Sequence, residues 1–261
     1  APAAAPVIIN YYCSSSRSVI PRSEGQWIDS WQGSTQGCGL GADFFMAAVA
    51  PLIQEARLLF PELIHVWYMD DPSATGTVSQ LVAFVAWLSV RSRDYGLSIK
   101  PGSLAILVKP PFLTTNQKDL RVLQGNYGVE LIDASSSGRV YLGTPCGAPA
   151  FCQDFVLARV AATAAKILRL SEMAHAIPHA AYALLTHGLL GSLTYLTRTA
   201  EVQPTSFRAL EDAICGPFLE ALQLPKQLRD LFALRLCHGG LGLADITVNA
   251  RVAYETSVTV C

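Results

Sequence analysis

Charged side chains are scarce in this sequence, and neither sign dominates. Only 15% of the 261 residues are Asp, Glu, Lys or Arg, and the net charge is −1. A protein that binds nucleic acid tightly by itself usually carries a basic surface, because neutralised phosphates supply most of the affinity. The composition therefore disfavours autonomous tight nucleic-acid binding. Hydrophobic residues make up 51% of the chain, which excludes a disordered tail.

Paired cysteines are also lacking. The 7 cysteines form no Cys-x-x-Cys pair, and an odd number in a long chain argues against a disulfide framework. We interpret them as reduced core residues of an intracellular protein. His175 and His179 have a helical metal-ligand spacing, but Pro178 lies between them and no further ligand is near in sequence. We interpret them as ordinary helix histidines.

No signal peptide opens the chain, because Ala1–Pro6 lacks a basic start and a long apolar core. From Met173 to Thr197 there is no Asp, Glu, Lys or Arg, and this stretch is long enough to cross a bilayer. It nevertheless contains histidines, Pro178 and two glycines, without flanking aromatic belts. A buried helix pair is the preferred interpretation over a membrane-associated helical protein. We expect no membrane partner.

The first part of the chain, residues 1–149, alternates predicted strands and helices, which indicates an α+β fold. Turn-forming residues and apolar periodicity set the expected bounds. The expected elements are a hairpin of residues 18–20 and 26–30, helices over 42–59 and 77–94, and strands at 63–68, 97–99, 104–108, 129–132 and 139–142. A polar connection is expected before the last two strands.

The second part, residues 150–261, has the composition of an all-helical domain. Alanine and leucine dominate, and Pro178, Pro204 and Pro225 separate the helical patterns. We expect the domain boundary near residues 147–150. The predicted helices cover residues 150–172, 174–197, 205–222 and 225–236.

Two adjacent carboxylates follow a hydrophobic strand in the run Trp67-Tyr68-Met69-Asp70-Asp71. Neighbouring like charges repel, and a cation relieves that repulsion. Carboxylates on a turn suit Mg²⁺, which binds one or two of them together with substrate phosphates. Taken alone, the dipeptide favours a solvated Asp-Asp turn over a metal site.

The surrounding motifs resemble the polymerase core of reverse transcriptases of the non-LTR retrotransposon kind. Gly33-Ser34-Thr35-Gln36-Gly37-Cys38-Gly39-Leu40-Gly41 precedes a helix, the strand and the paired aspartates, in the order GxxQGxxxG, helix, strand, YxDD, helix. Downstream, Tyr141-Leu142-Gly143-Thr144-Pro145 resembles the hairpin that grips the primer end. Gly239-Gly240-Leu241-Gly242-Leu243 is similar to the thumb region of these elements.

The resemblance implies a polymerase palm with an antiparallel sheet packed on helices, followed by a helical thumb. It implies RNA-directed DNA synthesis by two-metal catalysis with Mg²⁺ or Mn²⁺, on an RNA template, a DNA primer and dNTPs. A nuclear location is expected for the family. The implied residues are Asp70 and Asp71 for catalysis and metal binding, Gln36, Gly37, Tyr68 and Met69 for the nucleotide and template, and Tyr141, Leu142 and Gly143 for the primer.

The chain departs from that pattern at the metal site. The family has another aspartate on a strand before the GxxQG segment, whereas the first aspartate here is Asp29, just before Gly33. We expect the fingers and first palm strand to be missing, the chain to be cut from a longer polyprotein, and the isolated chain to be inactive. The alternative is a catalytically dead relic that acts as a nucleic-acid or protein interaction module.

Two further departures concern single residues. Pro72 follows the aspartates and removes a backbone donor from the return strand. The family's lysine after the second helix aligns near Ser103, and the nearest lysine, Lys100, lies three positions early. We therefore assign Lys100 no role.

Overall fold

The computed structural model describes residues 16–19, 27–30, 39–201 and 203–260. Over these residues the fold is α+β, as expected, and helices dominate. The chain forms two compact units, residues 1–104 with 118–129 and residues 105–117 with 130–261. We call them the first and second unit. These units are distinguished by their compactness alone. The expected separation into palm and thumb near residues 147–150 therefore stays a prediction.

The strands of the described part of the chain pair two by two and do not form one larger sheet. Three pairs are antiparallel and one is parallel, which differs from the single antiparallel sheet that the family resemblance implied. The pairs and their bounds are β1 (Ser16–Val19) with β2 (Trp27–Ser30), β3 (Ile64–Tyr68) with β4 (Asp71–Thr75), β5 (Ala105–Val108) with β6 (Glu130–Asp133), and β7 (Gly138–Tyr141) with β8 (Thr144–Gly147).

The two long helices of the first unit confirm the predicted periodicity. Helix α1 spans Gly41–Leu59 and buries Val49, Leu52, Ile53 and Ala56 along one stripe. Helix α2 spans Val78–Arg91 and continues as a 3-10 turn over Ser92–Tyr95. A capping box starts α2, because Thr77 Oγ1 accepts from Gln80 N and Thr77 N donates to Gln80 Oε1 at 2.8 Å.

The core of the first unit lies between these helices and β3. It is built from Leu52, Ala56, Leu63, Phe84 and Leu88. Partly buried side chains of residues 97 and 99 pack against it, yet that segment forms no strand, so the strand predicted at 97–99 is wrong. Its apolar side chains are anchored by the core, and no partner strand is present to hydrogen-bond its backbone in the described residues.

The parallel pair β5–β6 requires a crossover, and the chain between the strands supplies one. Helix α3 spans Pro110–Thr115 and helix α4 spans Gln117–Tyr127. The polar connection expected between these strands is thus helical, and its two helices were not predicted. Proline begins α3, where its fixed φ suits a first turn, and α4 buries only Leu120 and Leu123, which explains its weak apolar signal.

The second unit is helical from Pro149 onward, as predicted. Helix α5, Pro149–Ala174, packs through Val156, Val160 and Ile167 against the remaining helices. Those are α6 (Pro178–Ala183), α7 (Thr194–Thr199), α8 (Arg208–Ala213), α9 (Leu219–Ala221), α10 (Arg229–Ala233) and α11 (Ile246–Val260), with π segments at Leu184–Leu190 and Ile214–Phe218 and 3-10 turns at Gly191–Leu193, Pro204–Phe207, Lys226–Leu228 and Leu236–His238.

Two helix predictions in this unit need correction. The helix expected over 174–197 begins instead at Pro178 and continues to Thr199 as α6, a π segment, a 3-10 turn and α7. Gly188 and Gly191 lie in the π segment and the 3-10 turn, where glycine weakens regular α-helix. Helix α11 was not predicted. Among the described residues, no helix has both the length and the apolar character needed to cross a membrane.

The glycine-rich run Gly239–Leu243 folds tightly over the segment before it. Leu241 N and Leu243 N donate to Phe232 O at 3.2 and 3.0 Å, and Gly242 N donates to Leu234 O at 2.7 Å. A Cβ on Gly240 would stand 2.1 Å from Leu234 O, so a side chain is excluded there. The run is thus a packed turn of the second unit.

Candidate functional site

The paired aspartates lie at the tip of a β-hairpin, as predicted. Strand β3 ends at Tyr68 and β4 begins at Asp71, and these two residues are paired across the hairpin. Met69 and Asp70 therefore form the whole turn. Met69 has φ 53°, which is the positive value that a type II′ turn requires at its first central position. The hairpin places Asp70 in the turn and Asp71 at the first position of the return strand.

Strand alternation divides the hairpin into an outward and an inward face. Ile64, Val66 and Tyr68 point outward and are 72%, 60% and 59% exposed. Asp71 shares this face, because paired residues of an antiparallel ladder point to the same side. Asp70 and Asp71 are both exposed. An apolar strip thus ends in a carboxylate at the turn.

The inward face of the hairpin is held by an aromatic cluster. Trp67 Nε1 donates to His65 Nδ1 at 2.9 Å, and the His65 ring stacks on Phe84 with 5.9 Å between centroids. Partial burial, together with the positive charge of Arg57, lowers the pKa of His65. The neutral imidazole accepts the Trp67 bond, so this cluster fixes β3 and hence the position of the turn. The sequence interpretation did not include His65.

The carboxylates fit part of a metal site. Exposed oxygen ligands on neighbouring positions of a tight turn match the preference of Mg²⁺. Within the described residues, however, no group of three His, Cys, Asp or Glu side chains is placed to hold a metal ion. Two-metal catalysis holds its ions about 4 Å apart and needs more ligands than one such pair supplies. No catalytic step follows from Asp70 and Asp71 alone.

The predicted primer-holding residues form the turn of a second hairpin. Tyr141 and Thr144 are paired, so Leu142 and Gly143 make up the turn, with φ of 47° and 81°. Positive φ at both positions defines a type I′ turn, which suits the twist of a two-residue hairpin. At the base of the hairpin, Gly138 is paired with Gly147.

Helix α7 supports this second turn, a contact that no sequence pattern predicted. Thr144 Oγ1 donates to Thr199 Oγ1 at 2.7 Å, and Thr199 Oγ1 donates to Tyr195 O at 2.9 Å. A Cβ on Gly143 would stand 3.7 Å from Tyr195 Cε1. The turn is therefore fixed by a helix that lies about 50 positions downstream in the chain.

Other predicted residues are placed as follows. Gln36 and Gly37 lie outside the described residues, so their predicted nucleotide and template contacts stay predictions. Lys100 is exposed in the segment after α2, and Asp29 is exposed in β2. The β3–β4 hairpin belongs to the first unit and the β7–β8 hairpin to the second unit.

No protein-family profile, no curated protein and no solved structure matches this chain. The functional assignment therefore depends on the motifs and on the local geometry of the two hairpins.

Proposed function

We propose that this chain is the palm and thumb portion of an RNA-directed DNA polymerase of the non-LTR retrotransposon kind. The observation that carries the proposal is the turn at Met69-Asp70, which closes directly on Asp71. A strand that delivers two carboxylates to an exposed hairpin tip is the arrangement that a metal-dependent nucleotidyl transferase needs for one side of its metal site.

The second hairpin supports the same function. Its motif was assigned to the primer end by resemblance, and the residues form a tight turn with an exposed glycine at the tip. A glycine permits a close approach of another backbone. In this proposal Asp70 and Asp71 hold Mg²⁺, Tyr68 and Met69 lie beneath the primer terminus, and Leu142 and Gly143 hold the primer strand.

The isolated chain is expected not to polymerise, because the described residues supply two carboxylates and no third ligand. The test is primer extension on an RNA template with Mg²⁺. The 261-residue chain should give no product, whereas a fusion that adds a fingers segment with an aspartate-bearing strand should give product. Asp70→Asn in the fusion should abolish the product, and Asp94→Asn, an exposed carboxylate on the turn after α2, should not.

A second candidate function is a non-catalytic interaction module that retains the fold. Pro72 favours it, because β4 loses a backbone donor beside the aspartates. Under this alternative the fusion gives no extension, and Mn²⁺ binding measured by electron paramagnetic resonance is the same for the wild-type chain and Asp70→Asn. Loss of Mn²⁺ binding in Asp70→Asn would support the polymerase assignment instead.

A further inference from the structure

Helix α7 presents an exposed tyrosine beside the tip of the β7–β8 hairpin. Tyr195 is 48% exposed, whereas Leu193 and Leu196 on either side of it are buried. Its ring is in van der Waals reach of a Cβ at Gly143. The chain of hydroxyl bonds through Thr144 and Thr199 fixes the helix against the turn. The ring is therefore held at the turn with a large part of its surface accessible.

A guanidinium lies one helical turn from this ring. Arg198 follows Tyr195 by three positions, a spacing that places both side chains on the same side of a helix. Arg198 is exposed and, within the described part of the chain, has no carboxylate within 4 Å. Glu201, the nearest acidic residue in sequence, is engaged by the Tyr254 hydroxyl at 3.4 Å.

An aromatic face beside a positive charge matches a nucleic-acid strand. Bases stack on aromatic side chains without regard to sequence, and guanidinium groups bind phosphates. The exposed backbone of a glycine turn adds a surface that a sugar-phosphate chain can approach closely. A protein partner would need a wider apolar surface than one tyrosine ring supplies at this position.

We propose that Tyr195 and Arg198 form a nucleic-acid contact next to the Leu142-Gly143 turn. Tyr195 stacks on a nucleobase at the end of a DNA strand, and Arg198 binds the phosphate on its 5′ side. That this strand is a primer rests on the proposed function. The contact itself requires neither a metal ion nor catalysis.

The contact is tested by photo-crosslinking the full chain to a DNA strand whose 3′-terminal base is 5-iodouracil, annealed to RNA, at low salt with EDTA. The crosslinked residue should be Tyr195. Affinity measured by fluorescence anisotropy should fall about tenfold in Tyr195→Ala, because one stacked base is lost, and should stay within about twofold in Tyr195→Phe. Arg198→Ala should lower the slope of log affinity against log salt by about one.

Matched controls lie in the same unit. Phe112→Ala removes an exposed aromatic ring and Arg169→Ala an exposed charge, and neither should change the affinity. The contact is refuted if the chain binds no strand or if the crosslink maps to another residue. It is also refuted if Tyr195→Ala and Phe112→Ala have the same affinity for the strand. If Tyr195→Ala fails to fold, the contact is tested by the crosslink on the unmodified chain and by the slope of log affinity against log salt in Arg198→Ala.

Failure of this contact and failure of the polymerase assignment give different results. Primer extension by the fusion without a Tyr195 crosslink refutes the contact and leaves the polymerase assignment standing. A Tyr195 crosslink without Asp70-dependent extension supports the contact and refutes the polymerase assignment.

Discussion

Arg229 and Glu211 form a doubly hydrogen-bonded ion pair between α10 and α8. Arg229 Nε lies 2.6 Å from Glu211 Oε1, and Nη2 lies 3.0 Å from Oε2. The two side chains are only 16% and 15% exposed. Arg229 also donates to the carbonyl oxygen of Leu243 and to Cys215 Sγ. One guanidinium therefore connects two helices and the glycine-rich turn.

Loss of the guanidinium should destabilise the second unit. Arg229→Met leaves the Glu211 carboxylate without its partner in a mostly buried position. Breaking a fully buried pair costs about 3–5 kcal/mol, and we expect a loss up to that size for this partly exposed pair. Urea unfolding followed by circular dichroism measures the change. Arg251→Ala, which removes an exposed pair with Glu255, should cost less than about 1 kcal/mol. A small effect of Arg229→Met would show that the pair carries little of the stability.

A double variant separates the lost charge pair from the lost volume. Arg229→Met combined with Glu211→Leu removes both charges and should recover much of the stability, because apolar replacement of a buried pair is often neutral. No recovery would indicate that the bond to the Leu243 carbonyl, which the double variant also lacks, is the main contribution.

Cys215 should react slowly with iodoacetamide. Burial, followed by the hydrogen bond and negative charge of Glu211, raises the pKa of this thiol to about 11. At pH 8 the thiolate fraction is then on the order of one in a thousand, and only the thiolate reacts with iodoacetamide. Cys237, which is exposed, should be labelled before Cys215 when peptides are followed by mass spectrometry. Equal labelling rates would contradict the burial of Cys215.

The raised pKa of Cys215 also determines the direction in which the stability of the folded state changes with pH. The folded pKa lies above the ordinary value of 9.0, so the folded state binds the proton more tightly than the unfolded state does. The contribution is fully present below pH 9 and is lost as pH rises towards 11. Cys215→Ser should therefore flatten the fall in melting temperature over that window, relative to the unmodified chain.

Alanine at Gly147 should disrupt the second hairpin. Gly147 has φ 136°, and a Cβ there would lie 2.4 Å from Gly138 Cα and 2.5 Å from Ser137 O. Both contacts are with backbone, so neither can rotate away, and the strained φ adds roughly 1–3 kcal/mol. Urea unfolding should show a loss for Gly147→Ala. Gly188→Ala, with nothing within 4 Å of the new Cβ, should show no loss.

Glycine at position 223 should stabilise the end of α9. Gln223 has φ 57°, and the bonds Gln223 N to Glu220 O and Leu224 N to Leu219 O form a Schellman motif. Gln223→Gly removes the left-handed backbone strain of roughly 1 kcal/mol from the folded state. Glycine also raises the entropy of the unfolded chain, which offsets part of this gain, so we expect the free energy of unfolding to rise by about 0.5 kcal/mol. Gln223→Ala keeps the strain and should stay near zero. A thermal melt distinguishes the two variants.

Helices with a strong apolar stripe and a clear start were predictable. Helix α2 begins at a Thr-x-x-Gln capping box and carries Phe84 and Leu88 on its buried side, and both signals are local. Helix α4 was missed because only Leu120 and Leu123 are buried, which is too short a stripe to stand out among polar neighbours. Local patterns of this kind also gave no hint that β5 and β6 pair in parallel, since pairing joins distant segments.

The candidate site also contains one feature that local sequence predicts and others that it does not. The turn at Asp70 could be predicted, because a β-forming run ends directly before it. The bond between Thr144 and Thr199 could not, because it joins residues 55 positions apart and depends on how α7 packs. Tyr195 has no sequence signal of its own, because its proposed role depends on its exposure and on its distance from Gly143.

The pairing of Tyr68 with Asp71 ties an apolar surface to an acidic one. Ile64, Val66 and Tyr68 share their face of the hairpin with that carboxylate, so a segment that shelters the strip also takes solvent from beside Asp71. Burial of a carboxylate is costly unless the carboxylate is hydrogen-bonded or paired. A segment that covers this face would therefore meet a desolvation cost at its acidic end that the apolar strip alone does not impose.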